Sequence, residues 1–259
     1  MKILALSVAT TLAMSCAASA SAKPGKWVRI FDGVSLKGWT PKITGAAAGD
    51  NVGNSFTVAN RAIRVTYAGW QRFDGRFGHL AYNRPVAAFR LRLEYRIFGK
   101  SLPDVEPWQH SNSGVMLLAQ SPWSMSRDQK FPVSLETQFL AADRPEPTPT
   151  ANLCTPGTNV VIDGKFATQH CIISTSPILP NNQWVKAEVE VTRDGRVTHF
   201  INGKAVFHYS DPQYDPTDAD ATPLIAAAGG VLAIRRGYIY LQSEGHPVEF
   251  RNIKLMELD

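Results

Sequence analysis

The stretch Phe89–Ile97, FRLRLEYRI, constrains the fold of this 259-residue chain more than any other. Apolar side chains occupy every second position, and Arg or Glu occupies the positions between them. This period of two persists for nine residues, which leaves little room for a helix and predicts a strand with one buried face.

Further short apolar segments alternate with turn residues over most of the chain. Asp163-Gly164, Asp194-Gly195 and Asn202-Gly203 are dipeptides typical of tight hairpin turns. We expect strands or hairpins at Trp27–Trp39, Phe56–Tyr67, Gly114–Ala119, Val133–Leu140, Val160–Thr168, Trp184–Thr192, Val197–Ile201 and Lys204–Tyr209.

Gly-, Pro- and Asp-rich segments between these strands predict loops at residues 41–54, 102–112, 141–159 and 210–223. Leu224–Ala228 fits a short helix or a strand equally well. Many short strands with such turns predict an all-β sandwich or jelly roll, a single domain over residues 23–259.

Residues 1–22 have the pattern of a secretory signal peptide. Lys2 precedes a short apolar run, and Ala20-Ser21-Ala22 fits a cleavage site. A lipoprotein signal at Cys16 is the weaker alternative. We therefore expect export to the periplasm or the extracellular space, with no integral membrane segment after cleavage.

Cys154 and Cys171 are the cysteines that remain after cleavage, and in an exported chain they predict a disulfide. Two free thiols, or a zinc site that includes His170, are the alternatives. The formal net charge is +5, with scattered Lys and Arg. No basic run is interleaved with aromatic residues, so we expect no nucleic-acid partner.

The C-terminal stretch Gly237–Leu258 predicts two strands around a polar turn. That turn carries Gln242, Glu244 and His246, and a carboxylate beside an imidazole suits acid–base chemistry. A surface salt bridge is the simpler alternative, and Arg251 is available as its partner. The apolar phase changes near Asn252, which predicts a β-bulge there.

Other candidate site residues lie on or before predicted strands. Glu136 and Gln138 share one face of the Val133–Leu140 strand. That face is either an ordinary solvated surface or part of a site. The same alternatives hold for the strand-entry segment His110–Gly114, which includes Asn112, for Trp108 just before it, and for His170.

Together these segments resemble the 3-keto-disaccharide hydrolase family, also described as 3-ketoglucoside 1,2-lyase and 3-keto-2-hydroxy-glucal hydratase domains. The matching motifs follow one order through nearly all of the mature chain: IFDGVSLKGW, HSNSGVML, LETQFL, CTPG…HC, QWVKAEVEV…HFINGKAV and GYIYLQSEGHPVEFRNIKL. The two cysteines resemble the branch of the family with a disulfide-tied loop.

The resemblance implies a concanavalin-like jelly-roll fold and a glycoside substrate already oxidised at C3 of the sugar. It implies abstraction of the C2 proton, elimination of the C1 substituent and hydration, which together amount to hydrolysis. The implied roles are a base (Glu136 or His246), an acid (Glu244), donors to the enolate oxygen (His170, Asn112, Gln138), and a further pocket residue (Gln242). We expect His110 and Trp108 to add substrate contacts.

A divalent metal on the sugar O2 and O3 atoms, with Glu136, His170 and His246 as possible ligands, stays open, and no organic cofactor is expected. A two-carboxylate glycosidase using Glu136 and Glu244 is an alternative mechanism. A noncatalytic carbohydrate-binding module, with sugars stacked on Trp70, Trp108 and Trp123, is the alternative function, and a structural or adhesion sandwich is a third.

Overall fold

The computed structural model describes residues 25–258, so the expected signal peptide and Cys16 lie outside the described residues. The described chain forms seventeen strands, one short α-helix, α1 (Thr222–Ala227), and three single-turn 3₁₀ helices (Val52–Asn54, Pro107–Gln109 and Pro122–Ser124). The strands are β1 (Val28–Arg29), β2 (Trp39–Ile43), β3 (Thr57–Ala59), β4 (Ala62–Val65), β5 (Gly78–Tyr82), β6 (Phe89–Ile97), β7 (Asn112–Ala119), β8 (Leu135–Leu140), β9 (Asn152–Cys154), β10 (Thr158–Ile162), β11 (Lys165–Ala167), β12 (Cys171–Ile172), β13 (Val185–Val191), β14 (Val197–Ile201), β15 (Lys204–Tyr214), β16 (Tyr238–Ser243) and β17 (Val248–Glu257).

These strands form two antiparallel sheets with a shared apolar core. A seven-stranded sheet has the order β12-β9-β8-β7-β16-β5-β2. A ten-stranded sheet has the order β11-β10-β15-β14-β13-β6-β17-β4-β3, with β1 paired to β17. The all-β sandwich predicted from the sequence is confirmed.

The alternating strand β6 lies in the middle of the larger sheet, between β13 and β17. Its apolar side chains are buried in the core, and its charged side chains face outward. On that outer face Arg251 pairs with Glu94 at 2.7 Å. The expectation that Arg251 could partner Glu244 is therefore wrong, because β17 directs Arg251 away from the smaller sheet.

Three of the predicted loops contain strand residues in the structure, because their many Gly, Pro and Asp residues favoured a loop prediction over the whole segment. Residues 41–43 continue β2, where Pro41 is tolerated because β2 is an edge strand. Residues 152–154 and 158–159 belong to β9 and β10. Residues 210–214 extend β15, and this part of β15 pairs with β10.

The C-terminal stretch differs from its prediction in one respect that matters for function. Gln242 is not in the turn but within β16, paired with His79 on β5. The predicted bulge is confirmed, since the pairing of β17 with β6 shifts register between Arg251 and Lys254, and Asn252 has φ 54°.

Candidate active site on the seven-stranded sheet

Polar side chains line the outer face of the seven-stranded sheet. Directly opposed residues of antiparallel strands share a face. Gln138 on β8 is opposed by Gly114 on β7 and by Asn152 on β9, and Glu136 is opposed by Met116 and Cys154. The register therefore places Glu136 and Gln138 side by side on this face.

Gly114 makes room for the carboxyl group of Glu136. A Cβ atom at position 114 would lie 2.4 Å from Glu136 Oε1 and 3.0 Å from its Cγ. A residue with a side chain would therefore clash at position 114, because the Glu136 side chain lies across the β7 backbone there. The buried Gln242 amide lies close enough to influence the ionisation of this carboxyl.

Glu244 joins this face from β16. It lies two residues beyond Gln242, and the turn that holds it is tied down on both sides of its peptide. Gln109 Nε2 donates to Glu244 O at 3.1 Å, and the Gly245 N–H donates to Tyr67 Oη at 2.6 Å. Glu244 is only 2% exposed, so the alternative of a surface salt bridge is excluded in favour of a buried carboxyl.

Both carboxyl groups resist ionisation. Burial raises the pKa of Glu136 to about 8, with the Gln242 amide acting in the opposite direction. Burial and the neighbouring Glu136 charge raise the pKa of Glu244 well above its usual range, while Arg144 opposes the shift. Two carboxyl groups that discourage each other's ionisation can hold one proton between them.

A cavity of about 550 Å³ opens on this face beside both carboxyl groups. Six of the nine predicted site residues line it: Trp108, Asn112, Glu136, Gln138, His170 and Glu244. The predicted disulfide is formed between Cys154 and Cys171, and both cysteines belong to the wall.

Hydrogen bonds fix the orientation of two amides at the cavity. The Ser174 N–H donates to Asn152 Oδ1, so Asn152 Nδ2 must donate to Gln138 Oε1, at 3.1 Å. The Gln138 NH₂ group is thereby the end left available to a ligand. Asn112 Nδ2 donates to Trp108 O, and the buried Asn112 Oδ1 has no partner within residues 25–258.

His246 and His110 do not line the cavity. His246 Nδ1 accepts from the Ser111 N–H at 3.0 Å, and the Ser101 hydroxyl contacts both imidazoles. Burial, followed by the proximity of His110, lowers the pKa of His246 to about 4, with Asp143 and the Phe98 carbonyl opposing. His246 is therefore neutral, with its proton on Nε2, and it secures the backbone of Ser111.

His170 and Trp108 lie at the cavity mouth. Trp108 is 45% exposed and stacks parallel to Phe77, with ring centroids 6.1 Å apart. His170 is exposed and also lines a second cavity of about 550 Å³, which Phe131 and Pro156 share with the first. The two cavities thus adjoin each other, with His170 at their common wall.

Arg144 is a charged residue that lines the cavity and was not predicted from the sequence. It lies in the Pro-rich loop between β8 and β9 and lines the same cavity as Glu136 and Glu244. No periodicity marks a residue in such a loop. A signal that could have found it is its place as the lone Arg of the 141–159 loop, which leads from Gln138 to Cys154.

Within residues 25–258, no group of three His, Cys, Asp or Glu side chains is placed to hold a metal ion, and Glu136, His170 and His246 do not converge into such a group. No helix in that part of the chain is long and apolar enough to cross a bilayer.

Residues 26–256 match the family described as the 3-keto-alpha-glucoside-1,2-lyase-like domain. The chain belongs to this family. A curated relative, the 3-keto-disaccharide hydrolase of Bacteroides thetaiotaomicron, is 26% identical over 251 residues, which cover 90% of this chain and 79% of the relative.

Solved structures similar to this member of the lyase-like family share its fold. A candidate glycosyl hydrolase of Parabacteroides distasonis has a TM-score of 0.55 at 19% identity, covering 91% of this chain and 94% of that one. A protein of Bacillus subtilis described as having a galectin-like fold has a TM-score of 0.53 at 10% identity, covering 92% and 98%. The expected concanavalin-like sandwich is confirmed.

Proposed function

We propose that this protein cleaves 3-keto-glycosides by removing the proton at C2 of the oxidised sugar. The observation that carries the proposal is the pair of buried carboxyl groups, Glu136 and Glu244. Each has an oxygen without a hydrogen-bond partner among the described residues (Glu136 Oε1 and Glu244 Oε2), and each has a raised pKa. Membership of the lyase-like family supports the choice of substrate.

Glu136 is the base in this proposal. A ketone at C3 acidifies the C2–H bond, and the ionised form of Glu136, whose pKa is raised to about 8, is a stronger base than an ordinary carboxylate. The carboxylate takes the C2 proton, the C2–H electrons form a C2=C3 bond, and the carbonyl electrons move to O3. His246 is less suited to this step, because its ring does not line the cavity and its lone-pair nitrogen already accepts from Ser111.

Glu244 is the acid. When the enolate re-forms the C3 ketone, a C1=C2 bond forms and the C1–O bond breaks. The leaving oxygen takes a proton from Glu244, whose pKa favours the protonated form. Addition of water completes a net hydrolysis: its hydroxyl adds to C1, its proton restores Glu244, and the proton held by Glu136 returns to C2. General acid–base steps of this kind contribute about 10²–10⁴-fold each.

Other cavity residues suit recognition of a sugar. The free Asn112 Oδ1 can accept from a hydroxyl, and the Gln138 NH₂ group can donate to one. The exposed face of Trp108 suits stacking against a sugar ring. His170, where the two cavities meet, is placed to contact the leaving group.

We further propose that the enzyme works outside the cytoplasm. The Cys154–Cys171 bond supports this, because disulfides persist in oxidising compartments. The apolar run and cleavage pattern of residues 1–22 give the same expectation.

The function is tested by incubating purified protein with an aryl 3-keto-glucoside and, separately, with the unoxidised glucoside. We expect release of the aryl group from the keto substrate alone. Glu136→Gln keeps the shape of the side chain but removes the base, so the rate should fall by about 10²–10⁴-fold. Glu257→Gln, at an exposed carboxyl on the other sheet, serves as the matched control.

Cleavage of the unoxidised glucoside would show a two-carboxylate glycosidase instead. Binding of either sugar without turnover would favour a carbohydrate-binding module. Either result overturns the proposed reaction.

A further inference from the structure

Arg144 has unused hydrogen-bonding capacity inside the candidate active site. Its Nε and Nη1 atoms are buried, and neither has a hydrogen-bond partner in the described part of the chain. The residue lines the cavity together with Glu136 and Glu244. A buried guanidinium with two free N–H directions is costly unless a ligand satisfies it.

The backbone that carries Arg144 is held in place from three directions. Ser111 Oγ donates to Asp143 O at 2.6 Å, and Asn181 Oδ1 accepts from the Asp143 N–H at 3.2 Å. The Ala141 N–H donates to Ser111 O at 3.1 Å. Ser111 is itself fixed by His246, so the turn that carries Glu244 and the loop that carries Arg144 are parts of one network.

Arg144 and Glu244 influence each other without satisfying each other. Burial lowers the pKa of the Arg144 guanidinium, and Glu244 and Glu146 oppose that shift. An arginine stays charged at neutral pH despite such a shift. Since Glu244 Oε2 also lacks a partner within residues 25–258, the cation and the carboxyl are both free to contact a ligand.

We propose that Arg144 is a catalytic residue that donates hydrogen bonds to O3 of the sugar and stabilises the enolate. This inference rests on the proposed function. In the first step negative charge develops on O3 as the C2 proton passes to Glu136. A buried cation already in place strengthens its interaction with O3 as the charge grows, so it lowers the barrier rather than merely binding the ketone. The cation keeps its own protons throughout, and O3 returns to a ketone when the C1–O bond breaks.

The test separates enolate formation from loss of the leaving group. The probe is 3-keto-1,5-anhydroglucitol, which has the C3 ketone and the C2 hydrogen but no leaving group at C1. Exchange of its C2 hydrogen for deuterium is followed by NMR in D₂O for the wild type, Arg144→Met, Arg144→Lys and the control Arg193→Met. Arg193 is an exposed residue in the β13–β14 turn.

Wild-type protein and Arg193→Met should exchange at equal rates. Arg144→Met should exchange about 10²–10³-fold more slowly, as expected for loss of a donor to a developing oxyanion. Arg144→Lys should retain an intermediate rate, and added guanidinium ion should restore part of the Arg144→Met rate. Recovery of the Arg144→Met exchange rate by guanidinium would also show that the variant is folded, because guanidinium does not refold proteins.

Exchange by Arg144→Met within threefold of wild type would overturn the inference while leaving the proposed function intact. A reduced rate with no rescue, together with a lost folding transition in both Arg144 variants, would assign Arg144 a structural role. Absence of exchange by a wild-type protein that also fails to cleave the aryl 3-keto-glucoside would instead overturn the proposed function itself.

Discussion

Glu136 and Gln138 have the same parity on one strand, yet the residues around them give them different properties. Gln138 is oriented by Asn152 and remains partly exposed, whereas Glu136 is buried across Gly114. The raised pKa of Glu136 follows from that burial. Chemistry at this site therefore depends on what lies opposite each residue as much as on the residue itself.

Ionisation of Glu136 should make the folded protein less stable at high pH. Its folded-state pKa of about 8 exceeds the ordinary value of 4.5, so the stability it contributes is present below pH 4.5 and is lost as pH rises through 8. Glu136→Gln does not titrate. Its stability relative to wild type should rise between pH 4.5 and 8.5 by about 2–5 kcal/mol, because one pH unit of pKa difference corresponds to about 1.36 kcal/mol.

Urea denaturation of both proteins at several pH values measures this difference. The Glu257→Gln variant should show no comparable trend, since that carboxyl is exposed. A stability difference independent of pH would contradict the burial of an uncharged Glu136.

At the scale of single strands, the position of the Glu136 carboxyl depends on Gly114, a residue of the neighbouring strand β7. Gly114→Ala should displace the carboxyl, since a Cβ atom would lie 2.4 Å from Oε1. We expect activity to fall at least tenfold through kcat. Gly203→Ala in the β14–β15 turn of the other sheet is the control, because it introduces backbone strain (φ 84°) with no atom within 4 Å of the new Cβ and leaves the Glu136 carboxyl in place.

Comparable thermal melting of the two variants with a selective loss of activity in Gly114→Ala would support this account. Equal activity in both would mean that Glu136 does not need its position over β7.

The disulfide joins β9 to β12 and closes a loop with a sequence separation of 17. Replacing Cys154 and Cys171 together by Ser should lower the free energy of unfolding by about 3 kcal/mol, the value expected for a loop of this length. Because Cys154 lies opposite Glu136, KM should rise as well. Chemical denaturation and kinetics test the two effects separately, and an unchanged KM would show that β12 does not shape the cavity.

Strand patterns made most of the fold predictable. The alternation in β6 and the turns at Asp-Gly and Asn-Gly are features of the local sequence, and the structure has a strand and hairpins at those positions. The parity of Glu136 and Gln138 likewise predicted their shared face. Sequence could not place Arg144, because a loop has no period, nor show that His246 turns away, because the turn at Gly245 (φ 91°) ends the alternation.

At the scale of the whole molecule, a polar bridge crosses the core between the two sheets. His199 on β14 bonds to Thr137 Oγ1 on β8 at 3.0 Å, and to the Tyr209 hydroxyl and Ala151 O. Thr137 stands between Glu136 and Gln138 on the opposite face of β8. The larger sheet thus supports the strand that carries the site.

His199→Leu should destabilise the protein by about 2–5 kcal/mol at pH 7, since it leaves buried hydroxyl and carbonyl groups without partners. Burial lowers the pKa of His199 to about 4, although Ala151 O opposes the shift. As pH falls from 6.5 to 4, His199 becomes protonated in the unfolded wild-type chain but not in the folded one, so the wild type loses stability. The difference in unfolding free energy between the wild type and His199→Leu should therefore shrink.

Urea titrations at pH 7 and pH 4.5 measure that deficit, with the exposed His208→Leu on β15 as the control. A deficit that grows toward low pH would contradict a neutral His199 in the core.

The central claim is that the reaction passes through loss of the C2 hydrogen, and solvent deuterium tests it most directly. The wild-type protein is allowed to convert a 3-keto-glucoside fully in D₂O, and the 3-keto-glucose formed is examined by NMR before it can exchange spontaneously. Elimination followed by hydration places deuterium at C2 of the product to the extent that the proton held by Glu136 exchanges with solvent, and it gives a primary isotope effect when C2 of the substrate carries deuterium. A product that keeps its hydrogen at C2 and forms without that isotope effect would show direct displacement at C1 and would contradict the role given to Glu136.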